Sequence, residues 1–202
     1  MALVPGVSTN GIDAPKYAAK YSFNILAGYN GALEDRFELG GLLNINRYYA
    51  NGVQIAGIGN YSGQETAGVQ LSGIFNISEE AMQGIQIAGA VNYSGNDMQG
   101  IQLSGAANWT QGASQGIQIS GISNIARGDM QGMLITGLAN VTSNDMQGIA
   151  VGGLTNYAAG DMQGIMTAGL LNYSGNFQGI AAAPINVSRE FQGIQIGLVN
   201  YA

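Results

Sequence analysis

The sequence predicts an all-β, single-domain parallel β-solenoid (a β-helix) of about eleven sixteen-residue coils with an N-terminal cap. Three observations carry that expectation. First, a glycine recurs every sixteen residues at Gly41, Gly57, Gly73, Gly89, Gly105, Gly121, Gly137, Gly153 and Gly169. An asparagine follows each one three residues later, at Asn44, Asn60, Asn76, Asn92, Asn108, Asn124, Asn140, Asn156 and Asn172, and two shorter units add Asn186 and Asn200. Second, each unit holds short runs of period-two alternation, the mark of strands. Third, Lys, Glu and Arg are scarce, while Ile, Val, Tyr, Asn and Gly are common, a composition of strands and tight turns.

A strict period needs a cause. In a solenoid each unit is one coil, and like residues stack above one another, so an insertion in a strand disturbs every ladder. At a strand spacing of ~4.8 Å, eleven coils make a rod about 50 Å long. Helical repeats of the TPR or ankyrin kind need units of about 33 residues. The rival is a β-barrel or meander with one strand and turn per unit. Its neighbouring strands run antiparallel, which brings no like positions together, and outer-membrane barrels carry long, uneven loops that this chain lacks.

Along the chain, residues 1–20 do not repeat and hold Pro5 and Pro15. They read as a cap or extended lead-in, with the repeat domain spanning 21–202. Tyr21, Phe23 and Ile25 alternate with Ser22 and Asn24 as a strand, followed by the turn-rich GYNGALEDR, a degenerate first coil. The repeats proper start at Phe37. In Gly84–Gly89 (GIQIAG), Ile85 and Ile87 are expected to point inward and Gln86 and Ala88 outward, a pattern shared by Val53/Ile55, Val69/Leu71, Ile101/Leu103, Ile117/Ile119, Met133/Ile135 and Ile149/Val151. A second short strand covers the Asn and the residue after it. That residue is mostly large and apolar (Tyr61, Ile77, Tyr93, Trp109), and is expected in the core. Each unit closes with a polar turn such as Ser94–Asp97, then Met-Gln-Gly, with Met at 82, 98, 130, 146 and 162, Ser114 breaking the series and Phe177 and Phe191 replacing Met late.

The composition excludes several function classes. There is no Cys and no His, so thiol chemistry, disulfides and Cys/His zinc sites are ruled out. A net charge of −6 with only 6 Lys and Arg does not make a nucleic-acid backbone binder. No apolar run is long enough for a transmembrane helix, and Met1 opens no signal-peptide pattern. Met1-Ala2 reads as a true start or as the remnant of a removed leader, the second being preferred. The fixed glycines, 33 in all, exclude a flexible linker and collagen.

The Asn ladder reads as structural, because stacked amides hydrogen-bond along a strand stack. Its Asn-x-Ser/Thr matches at Asn60, Asn76, Asn92, Asn108, Asn140, Asn172 and Asn186 follow from the repeat and are rejected as glycosylation acceptors. A Gln ladder at Gln54, Gln70, Gln86, Gln102 and Gln118 gives way to Leu134, Ala150, Met166 and Ala181 before Gln195. Read as outward, those four are a candidate interaction face, weighed against plain drift on a solvent surface. Asp97, Asp129, Asp145 and Asp161 line a turn edge that could attract Ca²⁺, but the GGxGxD calcium signature is absent. The pairs Glu34/Asp35 and Glu79/Glu80 read as solvated turns. No catalytic constellation, cofactor motif or metal set emerges.

The core GIQIAGAVNYSGNDMQ, its copy GLTNYAAGDMQG, and the opening VPGVSTNG and YSFNILAGYNG resemble a surface-repeat family of Gram-negative envelope proteins built from tandem G-[VI]-Q-[IL]-[AS]-G-[LIAV]-x-N units. The resemblance covers nearly the whole chain and implies export and an envelope location, periplasmic or at the outer surface. The expectation is then a non-enzymatic structural or binding solenoid that presents flat sheets to a protein or surface partner, or to itself through an open C-terminal edge. The alternative is an outer-membrane β-barrel or pore.

Overall fold

The computed structural model describes residues 2–4, 7–8, 13 and 16–202. The chain divides into two compact units, Met1–Ser104 and Gly105–Ala202. Both are parallel β-solenoids.

In the first unit the long strands are β3 (Ala18–Asn24), β5 (Ala32–Gly40), β7 (Ala50–Ala56), β9 (Thr66–Ser72), β11 (Met82–Ala88) and β13 (Met98–Ser104). The short strands are β4 (Ala27–Asn30), β6 (Leu43–Asn46), β8 (Gly59–Ser62), β10 (Phe75–Ser78) and β12 (Val91–Ser94). Long strands pair with long and short with short, so each coil gives one strand to each of two sheets. The pairing is parallel and, apart from bulges where β3 meets β5 and β5 meets β7, steps by sixteen, as in Gln86↔Gln102 and Asn76↔Asn92. The turns stay on the same step: Glu79 N–H donates to Ser62 O at 3.0 Å, and Ile74 N–H to Ile58 O at 2.8 Å. β3 and β4 form the degenerate first coil, in which Gly28 stands opposite Asn44 where later coils carry Asn.

At the N-terminus, β1 (Ala2–Val4) pairs parallel with β3 and antiparallel with β2 (Val7–Ser8). This caps the first coil and is the antiparallel pair among the described residues. Pro5 and Pro15 lie outside the described residues.

In the second unit the long strands are β15 (Ser114–Ser120), β17 (Met130–Thr136), β19 (Met146–Gly152), β21 (Met162–Ala168), β23 (Asn176–Ala182) and β25 (Glu190–Ile196). The short ones are β14 (Ala107–Thr110), β16 (Ser123–Ala126), β18 (Ala139–Thr142), β20 (Thr155–Ala158), β22 (Leu171–Tyr173), β24 (Ile185–Val187) and β26 (Val199–Tyr201). The last coils are shorter, yet Met162 still pairs with Phe177 and Phe177 with Phe191. One residue is lost in the polar turn between Tyr173 and Phe177 and one at the corner between Ala182 and Ile185, and the strands keep their register. This parallel stacking overturns the barrel alternative, because neighbouring strands of an up-and-down barrel run antiparallel.

One expectation is inverted. The residues that face inward are the Gln, Asn, Met and Ala/Ser/Thr positions, not the isoleucines. Gln54, Gln70, Gln86, Gln102 and Gln118 are fully buried, while Ile85 and Ile87 are half-buried on the outside. The position after each Asn is likewise outward: Tyr93 and Trp109 are half-buried and Tyr157 is exposed. Alternation fixes two faces but does not say which one is inside. Burying amides is permitted here because each rung supplies the partner the next rung needs, which removes most of the desolvation penalty.

Candidate functional site

The interior of the first unit is an amide core. Gln102 Nε2 donates to Gln86 Oε1 at 2.7 Å, Gln86 to Gln70 at 2.8 Å, and Gln70 to Gln54 at 2.8 Å. The row ends on Glu38, which pairs with Gln54 in register and accepts from its Nε2 at 3.0 Å. Glu38 also accepts from Asn46 Nδ2 at 2.7 Å and Asn30 Nδ2 at 2.7 Å, with Asn24 Nδ2 at 3.5 Å. A row of donors all aimed toward the N-terminus requires a pure acceptor at its head, and a carboxylate supplies one.

The Asn ladder runs with the opposite polarity. Asn44 Nδ2 donates to Asn60 Oδ1 at 2.9 Å, and Asn60 to Asn76 at 2.9 Å, with Asn92 following at 3.0 Å. In the second unit Asn108, Asn124, Asn140, Asn156, Asn172, Asn186 and Asn200 continue the pattern at 2.8–3.0 Å. Most of these Nδ2 groups also donate to a backbone carbonyl of the following coil, as Asn124 does to Ile135 O at 2.8 Å, while Asn172 and Asn200 donate to Met166 O and Gly197 O of their own coils. The ladder therefore ties short strands to long ones across the interior. The head of the first-unit ladder faces Gly28, and Asn44 Oδ1 has no protein partner there. The amides from Asn44 to Asn186 are buried, which removes the Asn-x-Ser/Thr matches from acceptor chemistry.

The candidate interaction face is corrected by the same inversion. Leu134, Ala150, Met166 and Ala181 are fully buried, and with Met130, Met146, Met162 and Phe177 they form the hydrophobic core of the second unit. The change from Gln118 to Leu134 is thus a change of interior, from hydrogen-bonded amides to packed aliphatic and thioether groups. Gln118 Nε2 donates to Thr110 Oγ1 at 2.9 Å.

Outside, three parallel columns run along the long-strand sheet of the second unit. The first is a stacked amide row, Gln115 to Gln131 at 2.9 Å, Gln131 to Gln147 at 2.8 Å and Gln147 to Gln163 at 2.7 Å. The next two are apolar apart from Thr167, with Ile165 and Ile180 about 40% exposed. At the corner, Ile122, Leu138, Leu154 and Leu170 form another exposed column.

The turn acids serve the backbone. Asp145 Oδ1 accepts from the Asp161 N–H at 2.8 Å, and Asp161 Oδ1 from the Asn176 N–H at 3.1 Å. Among the described residues no group of three or more His, Cys, Asp or Glu could hold a metal ion. Glu34, Asp35, Glu79 and Glu80 are exposed.

Glu38 is the residue sequence reasoning missed. Its signal was its place sixteen residues before Gln54. Burial pushes its carboxyl above the ordinary 4.5, opposed by the donors Asn46, Gln54, Asn30 and Ser22. Between the unfolded and folded pKa values the folded chain keeps a proton the unfolded chain has lost, so stability from this group is full below that window and falls as pH rises through it. Glu38→Gln removes the titration. The unfolding free energy of wild type minus that of Glu38→Gln is expected to fall from acid to neutral pH. A difference that is flat, or rises, sinks the assignment.

Comparison with protein-family models, curated proteins and solved structures gave no significant match.

Proposed function

We propose that this chain is a non-enzymatic, exported structural and binding element of a Gram-negative cell envelope. Its flat sheets meet a protein or surface partner. The observation that carries the reading is the outward placement of regular aliphatic and aromatic columns on both sheets, while the ladder asparagines and the column from Gln54 to Gln118 turn inward. Exposed apolar area of that regularity is a recognition surface rather than a reaction site. The chain's lack of His and Cys supports the non-enzymatic reading, and the resemblance of its repeat core to the surface-repeat family supports the location.

Self-association through the edge formed by β25 and β26 belongs to the same proposal. Each of these strands is paired on one side in the described chain, and Ile194, Ile196, Val199 and Tyr201 beside them are more than half exposed. Unpaired edge strands recruit further strands. The test is fractionation of source cells with an antibody to the repeat domain, with protease added to intact cells. Recovery with periplasm or outer surface is expected. A purely cytosolic pool defeats the envelope reading.

A further inference from the structure

We propose that the outward long-strand face of the second unit docks a second copy of this chain, face to face. The inference rests on the reading that the flat sheets meet a partner, and it names the face and the partner.

Three observations select a second copy. The first is period. The column Ile117, Met133, Ile149, Ile165, Ile180 and Ile194 advances by one strand per step, with the amide row on one side and a second column, apolar apart from Thr167, on the other. Steps of ~4.8 Å make ridges and grooves that interlock fully with another face of the same period. Every copy of this chain carries one. The second is charge. These three columns contain no Asp, Glu, Lys or Arg between Gln115 and Ile196, so two copies meet without like-charge repulsion although each chain carries −6. The same −6, with 6 Lys and Arg and one Trp, argues against lipid. An anionic bilayer repels such a chain, and interfacial binding relies on basic and Trp side chains that are scarce here.

The third is area. Six strands at ~4.8 Å spacing, each giving three outward residues over ~13 Å plus side-chain margins, present roughly 600 Å². That reaches the lower bound of about 1,200 Å² total for a specific interface between two such faces. The exposed amide row adds no desolvation burden of consequence, because each Gln is already hydrogen-bonded along its own ladder.

The test is sedimentation velocity of the full chain from low micromolar to near-millimolar concentration, alongside the double variant Ile149→Lys/Ile165→Lys. Both side chains point outward, so lysines enter no core, and circular dichroism checks that the fold is kept. The expected result is a wild-type dimer and a variant that stays monomeric with an unchanged spectrum. A wild-type monomer throughout overturns the proposal, as does a variant that dimerises like wild type. Open-ended growth that the variant does not alter assigns association to the β25–β26 edge instead of the face. Flotation with phosphatidylglycerol vesicles, lost in the variant and unaccompanied by a dimer, makes lipid the occupant and also overturns it. None of these outcomes bears on where the protein resides in the cell, which the fractionation decides separately.

Discussion

Gly148→Ala is expected to unfold the second unit or bring it close to unfolding. Gly148 sits in a column of glycines with φ near +135°, its own at +136°. A Cβ there would lie 1.9 Å from Gly132 O and 2.9 Å from Gly132 C. Two costs combine. The left-handed backbone costs a non-glycine residue about 1–3 kcal/mol. The overlap is with backbone rather than with a flexible side-chain tip, so it is relieved only by moving β19 away from β17 and stretching their ladder. A total of about 4 kcal/mol or more is expected, a large share of the roughly 5–15 kcal/mol that holds a domain together. Urea unfolding followed by circular dichroism measures it. Gln147→Ala, one residue away and exposed, is the control and should move stability by less than about 0.5 kcal/mol. If the two variants melt together, the glycine column is not the constraint described.

Asn124→Leu is the second large effect. Leucine keeps the branched heavy-atom skeleton of asparagine and removes its polar atoms, so the substitution tests chiefly hydrogen bonding, with the bulk of two methyl groups adding to the cost. Asn124 is fully buried. It accepts from Asn108 Nδ2 at 2.9 Å and donates to Asn140 Oδ1 at 2.9 Å, Ile135 O at 2.8 Å and Gln118 O at 3.1 Å. Leucine deprives Asn140 Oδ1 of its donor and weakens the satisfaction of two carbonyls. With about 1–3 kcal/mol for each buried group left unsatisfied, a loss of roughly 3–5 kcal/mol is expected. The matched control is Gln131→Leu, in the outward amide row, where water replaces the lost partners and the change is small. A value for Asn124→Leu within about 1 kcal/mol of that control would falsify the structural role of the inner ladder.

The coil and the stacking were legible in the sequence because a period of sixteen and period-two alternation are geometric signals. The Asn ladder was legible for the same reason. Which side of the strand lay inside was not. Ile85 and Ile87 invite burial by their chemistry, and only the sum over neighbours decides otherwise: stacked amides at Gln86 and Asn92 close on their counterparts, so the interior accepts them. The four residues Leu134, Ala150, Met166 and Ala181 were noticed for the right reason, a change of chemistry along one column, and placed on the wrong side of the sheet. Glu38 carries no visible ladder signal in the sequence beyond its spacing from Gln54, because the unit around it is irregular. Its column membership shows once β5 pairs with β7 through Glu38↔Gln54.

The shortened final coils carry a consequence for heredity. Strand register survives there while one residue drops out of the polar bend between Tyr173 and Phe177 and another out of the corner between Ala182 and Ile185. Near-identical repeats in a gene misalign readily during recombination. Here such an error adds or removes a whole coil, and each new neighbour presents the amide or methyl group its predecessor did. Length in this architecture is therefore a property that can drift between generations without a fresh solution to folding, provided that breakpoints fall in phase and small slips are confined to the bends.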